Sequence, residues 1–152
     1  RGRWALSWVE VPTLPQGETH MLARILASVF LALHGLVHML YFAQSAKIFE
    51  LKPGMNWPVG SWALSRLLGD NGTRTVANVV CVLVAVGFVI AAVGLISGQP
   101  WWRSPVLASA VISAVLFLLC WNGSLQNLDG QGAVGILLDT LILVTVLIFR
   151  WP

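Results

Sequence analysis

Four apolar runs, each about as long as the hydrocarbon core of a bilayer is thick, limit what this chain can fold into. They cover residues 22–42, 75–96, 105–121 and 132–149. The mean hydropathy is +0.81, and only 10% of the residues are charged, which is typical of a chain whose solvent is lipid. Because a helix satisfies its own backbone hydrogen bonds in hydrocarbon, the sequence predicts an all-α integral membrane four-helix bundle. The last two spans are near the lower length limit.

The chain divides into a membrane domain and a short leading segment. Residues 21–152 hold the four runs and leave no length for a separate soluble domain. Residues 1–20 are largely polar and precede Met21, which stands directly before the first run. We interpret them as an N-terminal extension, an added remnant or the product of an alternative start.

The connection 43–74 is the only long one, and its sequence predicts structure of its own. Ser61 has the character of a helix N-cap and Gly69 that of a helix stop, with an amphipathic stretch between them. The pattern predicts a short interfacial helix on the membrane surface. Trp57 and Trp62 are expected at the level of the lipid headgroups.

The basic residues indicate lipid contact and an orientation. Nine Lys and Arg residues are scattered instead of clustered, so attraction to anionic headgroups is a simpler interpretation than nucleic-acid binding. The short later loops predict antiparallel neighbours. Arg24, Arg103 and Arg150 flank span ends on one face, which favours cytoplasmic termini in a multi-pass protein of the bacterial plasma (inner) membrane.

Two ionisable residues fall inside apolar runs at a matching depth. With a rise of about 1.5 Å per residue, His34 lies about 12 Å and Asp139 about 10 Å below the same face, and Ser113 and Cys81 fall at similar depths. An ionisable group at the centre of a span costs about 2.5 to 3.5 kcal/mol on insertion scales, so it normally has a partner. The sequence predicts that His34 and Asp139 lie within hydrogen-bonding reach in the bundle interior.

His34 and His38 are four residues apart and share a helix face beside Gly35, which permits close approach of another backbone or a flat macrocycle. The two imidazoles suit a haem iron or a chlorophyll magnesium. With Asp139 they suit a divalent metal, and a His34–Asp139 pair suits a quinone headgroup or proton transfer. The structural alternative is that the pair only fixes which helices meet.

The two cysteines and the remaining motifs of the sequence do not indicate a redox, disulfide or catalytic site. Cys81 and Cys120 lack CxxC spacing and fall inside spans, so we expect two small buried hydrophobic residues. No catalytic triad or phosphate-binding glycine loop is present in the sequence, and we expect no enzymatic activity.

The string from His34 to His38 (HGLVH), the Trp101–Trp102 pair before the third run and the end of that run at Trp121 together resemble a family. It is a family of small, uncharacterised bacterial membrane proteins with four transmembrane helices. The resemblance covers about residues 21–152 and implies the four-span fold without implying an activity.

These observations favour a small accessory or structural subunit that packs against a larger membrane assembly, such as a respiratory or photosynthetic complex. Its expected partners are the lipid bilayer and other membrane subunits, with a role beside electron transport or photosynthesis. The alternative is a redox membrane protein that binds haem, chlorophyll, a metal or a quinone through His34, His38 and Asp139.

Overall fold

The computed structural model describes residues 16–150, which form four α-helices and no β-strand. The helices are α1 (Gln16–Ser45), α2 (Leu64–Ile96), α3 (Arg103–Cys120) and α4 (Ala133–Leu147). Short 3-10 turns at Pro100–Trp102 and Leu128–Gln131 precede α3 and α4. The all-α prediction is confirmed over this range, while most of the leading segment 1–20 lies outside it.

Three of the helices are long and apolar enough to cross a membrane. They are α1, α2 and α3 together with its preceding turn. Helix α4 is apolar but has 15 residues, which at a rise of about 1.5 Å per residue is about 22 Å. A bilayer core is about 30 Å thick. Three helices that could each cross a bilayer fit a helical membrane protein, and a complete fourth span stays a prediction.

The predicted short helix in the first loop forms and is set off from the rest of α2 by a kink at Gly69. Ser61 Oγ accepts a hydrogen bond from the backbone N–H of Leu64 at 2.9 Å, as expected of a cap. Gly69 interrupts the helix with φ 67° and ψ 174°, as expected of a stop. After Gly69 the chain is helical again, so the polar residues before position 75 belong to α2. Polar residues can be part of a helix where it extends beyond the hydrocarbon, and α2 therefore begins before the apolar run. Whether Leu64–Leu68 lies on the membrane surface stays a prediction.

That Trp57 lies at the level of the lipid headgroups stays a prediction, but its side chain does not face lipid. Its side chain is fully buried within the protein, with its ring 5.0 Å from Tyr41 and 5.6 Å from Phe117 between centroids. Trp62 is half exposed, and its indole N–H donates to the Leu118 carbonyl. The first loop is thus a packed part of the bundle, since it brings a large apolar side chain into the core.

Hydrogen bonds between helix ends establish an antiparallel bundle. Arg24 donates to the carbonyls of Leu95 and Ile96, and Arg103 donates to the carbonyl of Arg150. The beginnings of α1 and α3 therefore lie with the ends of α2 and α4. We call this the arginine end, defined by Arg24, Arg103 and Arg150.

The opposite end, which we call the loop end, joins the first loop to the third. Lys52 Nζ lies 2.9 Å from Asp129 Oδ2, and the hydrogen bond from Lys52 holds the pKa of the Asp129 carboxyl below its usual value. Both side chains are exposed, so the pair adds little stability. The backbone N–H of Trp62 also donates to the Trp121 carbonyl at 2.8 Å.

The core consists of two apolar clusters, one towards each end. The cluster at the loop end contains Trp57, Phe117 and both cysteines, which are buried and free, as predicted. The cluster at the arginine end is formed by residues from all four helices: Leu31, Val84, Phe88, Ala91, Ala92, Leu95, Trp102, Val106, Ala110, Ile142 and Val146.

Gly35 sets the close approach of α1 to α2. A Cβ atom at this position would lie 3.0 Å from Phe88 Cβ and 3.1 Å from the Ala85 carbonyl oxygen. Of the two expectations for Gly35, the structure therefore shows the approach of another backbone. Gly132 and Gly135 likewise leave space for the Phe117 ring beside α4, since a Cβ atom at either position would meet that ring.

We expect Gly35→Ala to lower the unfolding temperature of the purified protein in detergent, because the added methyl group forces α2 away from α1. Overpacking of this kind costs about 1 to 3 kcal/mol. Gly17→Ala is the matched control, since a Cβ there meets nothing within 4 Å. Equal unfolding temperatures for the two variants would contradict the close approach.

Candidate functional site

The structure brings His34 and Asp139 together, as the sequence predicts. His34 Nε2 lies 2.9 Å from Asp139 Oδ1, and the two side chains are 2% and 0% exposed. When Asp139 is a carboxylate, Oδ1 can only accept, and the hydrogen bond then assigns the proton to His34 Nε2. This contact joins the first helix of the chain to the last and forms the centre of the site.

His38 lies one turn further along α1 and extends the site to α3. Its Nδ1 is 3.0 Å from the His34 carbonyl oxygen, which can only accept, so Nδ1 carries a proton. The Nε2 atom of the neutral ring is then an acceptor and receives the Ser113 hydroxyl at 2.7 Å. The local hydrogen bonds therefore fix the tautomer of His38, and its Nε2 lone pair accepts from Ser113.

Ser113 is a site residue whose role the sequence did not reveal. Its depth matches that of His34, and this was the available signal. A serine in an apolar helix usually bonds to its own backbone, so depth alone does not separate a histidine partner from an ordinary helix serine.

Two polar atoms of the pair have no hydrogen-bond partner among the described residues. They are His34 Nδ1 and Asp139 Oδ2, and both are buried. An unsatisfied buried polar atom costs about 1 to 3 kcal/mol. The pair is thus more than a closed hydrogen bond, because each partner retains an unused ligand atom.

Aromatic rings surround the imidazoles. The Phe88 ring stands nearly perpendicular to His34 at 4.8 Å, and Phe30 lies parallel to it at 6.0 Å between centroids. Phe117 lies 5.7 Å from His38. These rings exclude water from the polar groups, which strengthens every electrostatic interaction within the cluster.

The three residues named by the sequence can supply converging ligands. One ligand atom from each of His34, His38 and Asp139 lies within 4.8 Å of the other two. At metal–ligand distances of about 2.1 Å, neighbouring ligands are about 3.0 Å apart in an octahedral site and about 3.4 Å in a tetrahedral one. His34 Nε2 and Asp139 Oδ1 are 2.9 Å apart, but a metal between them would have to displace the proton that they share, and the set of three, which lies within 4.8 Å, would have to contract.

A flat macrocycle does not fit against Gly35. The space on that side of α1 is filled by Ala85 and Phe88 of α2. Haem and chlorophyll are two of the alternatives for this face, and the packing at Gly35 leaves no room for either there.

Comparison with models of protein families, with curated proteins and with solved structures gives no match. The proposals that follow rest on the geometry of the described residues.

We expect His34→Leu and Asp139→Leu to destabilise the metal-free protein by about 1 to 3 kcal/mol each, because either change leaves a buried polar partner unsatisfied. The double variant should regain part of that loss, since it leaves neither group unpaired. Asp139→Asn, which keeps an acceptor, should be mild.

The measurement is thermal unfolding in one detergent with a chelator present. His20→Leu, at an exposed position of α1, is the control for introducing leucine. Losses that simply add in the double variant would show that the two side chains do not interact.

Proposed function

We propose that this chain is a small integral membrane protein that binds a divalent transition metal through His34, His38 and Asp139. The observation that carries the proposal is the convergence of three buried ligand atoms from two helices within 4.8 Å. A metal site needs several such ligands and groups that orient them, and the cluster offers both.

The ligand types favour a borderline metal. Two imidazoles and one carboxylate suit Fe(II), Mn(II), Co(II) or Zn(II). Calcium and magnesium prefer sites made entirely of oxygen, which this cluster cannot supply. Three protein ligands leave coordination positions for a small exogenous molecule, so the site is suited to binding as well as to holding a metal.

The hydrogen bond of His38 prepares that residue for metal ligation. Its Nδ1–H donates to the His34 carbonyl, which leaves Nε2 as the lone-pair nitrogen. Histidine ligands in metal sites commonly donate their other ring nitrogen to a carbonyl or carboxylate in this way. Nε2 now accepts a hydrogen bond from the Ser113 hydroxyl at 2.7 Å, so metal ligation by His38 would require that hydroxyl to turn away from the nitrogen.

A bound cation would also compensate the negative charge of the Asp139 carboxylate. Within residues 16–150 the carboxylate has one ion-pair partner, His34, and its second oxygen is unpaired. A divalent ion beside these groups provides positive charge in a region of low dielectric constant, where it is most favourable.

The test is metal analysis of the protein purified in mild detergent, followed by titration of the metal-free protein with Co(II) monitored by visible absorption. We expect one bound ion per chain. His38→Ala and Asp139→Asn should each weaken binding at least about tenfold. His20→Ala is the matched control and should bind as the wild type does.

A wild-type protein that takes up no Co(II), Zn(II), Fe(II) or Mn(II) would contradict the metal proposal. So would binding that both ligand variants leave unchanged. In either case the pair serves the alternative roles of a structural contact or a quinone or proton site, and reconstitution with a quinone distinguishes these.

A second candidate function is that of an accessory subunit, favoured by the outer surface of α1. Six aliphatic residues recur there with alternating spacings of four and three, and each is 44% to 60% exposed. This is the heptad spacing of a left-handed helix pair. We call these residues the heptad stripe: Leu22, Leu26, Val29, Leu33, Leu36 and Leu40.

If a partner helix covers the heptad stripe, a photo-crosslinking residue at Leu33 in the native membrane should give a discrete protein adduct. Leu83 on α2, which is 62% exposed, is the matched control and should label lipid. Lipid labelling at both positions would contradict the accessory role.

A further inference from the structure

Two cavities adjoin at the arginine end. An apolar groove of about 330 Å³ is lined by side chains of all four helices and of the turn before α3, including Phe30 and Ile142. A polar hollow of about 340 Å³ is lined by Arg24, Arg103 and the loop between α2 and α3. Leu95 and Trp102 line both, so the cavities share a wall.

The hollow is positively charged. Arg24 is held in place by its hydrogen bonds to the Leu95 and Ile96 carbonyls, and Arg103 by its bond to the Arg150 carbonyl. Within residues 16–150 no carboxylate lies within 4.0 Å of either guanidinium. The two cations are therefore oriented by backbone carbonyls without being neutralised by an acid.

The loop between α2 and α3 passes close to the Arg24 guanidinium. Gly98 has φ +72°, and a Cβ there would lie 2.7 Å from Arg24 Nη2. A larger residue would push against the guanidinium, so glycine lets the backbone pass close to the charge.

The groove is almost entirely hydrocarbon. Thr145 is its one polar lining residue. The groove lies on the side where α1 and α4 face each other. The extensive packing is between helices that follow one another in the chain: α1 with α2, α2 with α3, and α3 with α4. A flexible apolar chain would fill the space that these two helices leave.

We propose that the two cavities form one site for an anionic glycerophospholipid, with its phosphate at Arg24 and Arg103 and an acyl chain in the groove. The charge selects an anionic headgroup, because the described residues that line the hollow offer guanidinium groups and no carboxylate for a choline or ethanolamine ammonium. A phosphate at a span end and an acyl chain beside it match the position of a membrane lipid.

The test uses the delipidated full-length chain in detergent, with phosphatidylglycerol and phosphatidylcholine of identical acyl chains added separately. At saturation, phosphatidylglycerol should raise the unfolding temperature by about 3 to 6 °C, and phosphatidylcholine should have a much smaller effect. Arg103→Gln should remove the difference by removing a phosphate ligand. Ala27→Phe should remove it by filling the groove.

Arg66→Gln, an exposed arginine at the loop end, is the matched control and should keep the full difference. Arg24→Gln is unsuitable alone because Arg24 also caps α2. Equal effects of the two lipids, or a response that both Arg103→Gln and Ala27→Phe leave intact, would overturn the proposal. An equal shift with inorganic phosphate alone would show a simple anion site and overturn the lipid assignment.

Discussion

The hydrogen bond between His34 and Asp139 is the contact on which the rest of the arrangement depends. It places two ionisable groups where hydrocarbon makes either one alone unfavourable, so each group restrains the position of the other. Because His34 belongs to α1 and Asp139 to α4, the bond joins the first and last helices at 2.9 Å. Elsewhere α1 and α4 leave the apolar groove between them.

The bundle is chemically divided along its length. From the pair towards the loop end lie His38, Ser113 and the packed first loop with Trp57. Towards the arginine end the interior is mainly apolar, although the hydroxyls of Ser28 and Ser109 are buried there, and the guanidinium groups line the hollow at that end. A metal at the pair and a lipid at the arginine end are therefore independent proposals, because different side chains and different forces support them.

Sequence reasoning predicted what periodicity and depth determine. The helical class, the burial of Cys81 and the pairing of His34 with Asp139 follow from apolar runs and a fixed rise per residue. It did not predict the burial of Trp57 or the role of Ser113, since both depend on contacts between distant segments. Sequence reasoning also did not locate the groove, because the exposed and inward faces of a uniformly apolar helix carry the same types of residue.

The most direct test of the account is nitrogen-15 magnetic resonance of the metal-free protein labelled at histidine. The chain has three histidines, and His20 is exposed. The account predicts that His34 carries its proton on Nε2 and His38 on Nδ1, that both protons exchange slowly with water, and that Asp139→Leu shifts the His34 signals most. Fast exchange at His34, or His34 signals unchanged by Asp139→Leu, would contradict it.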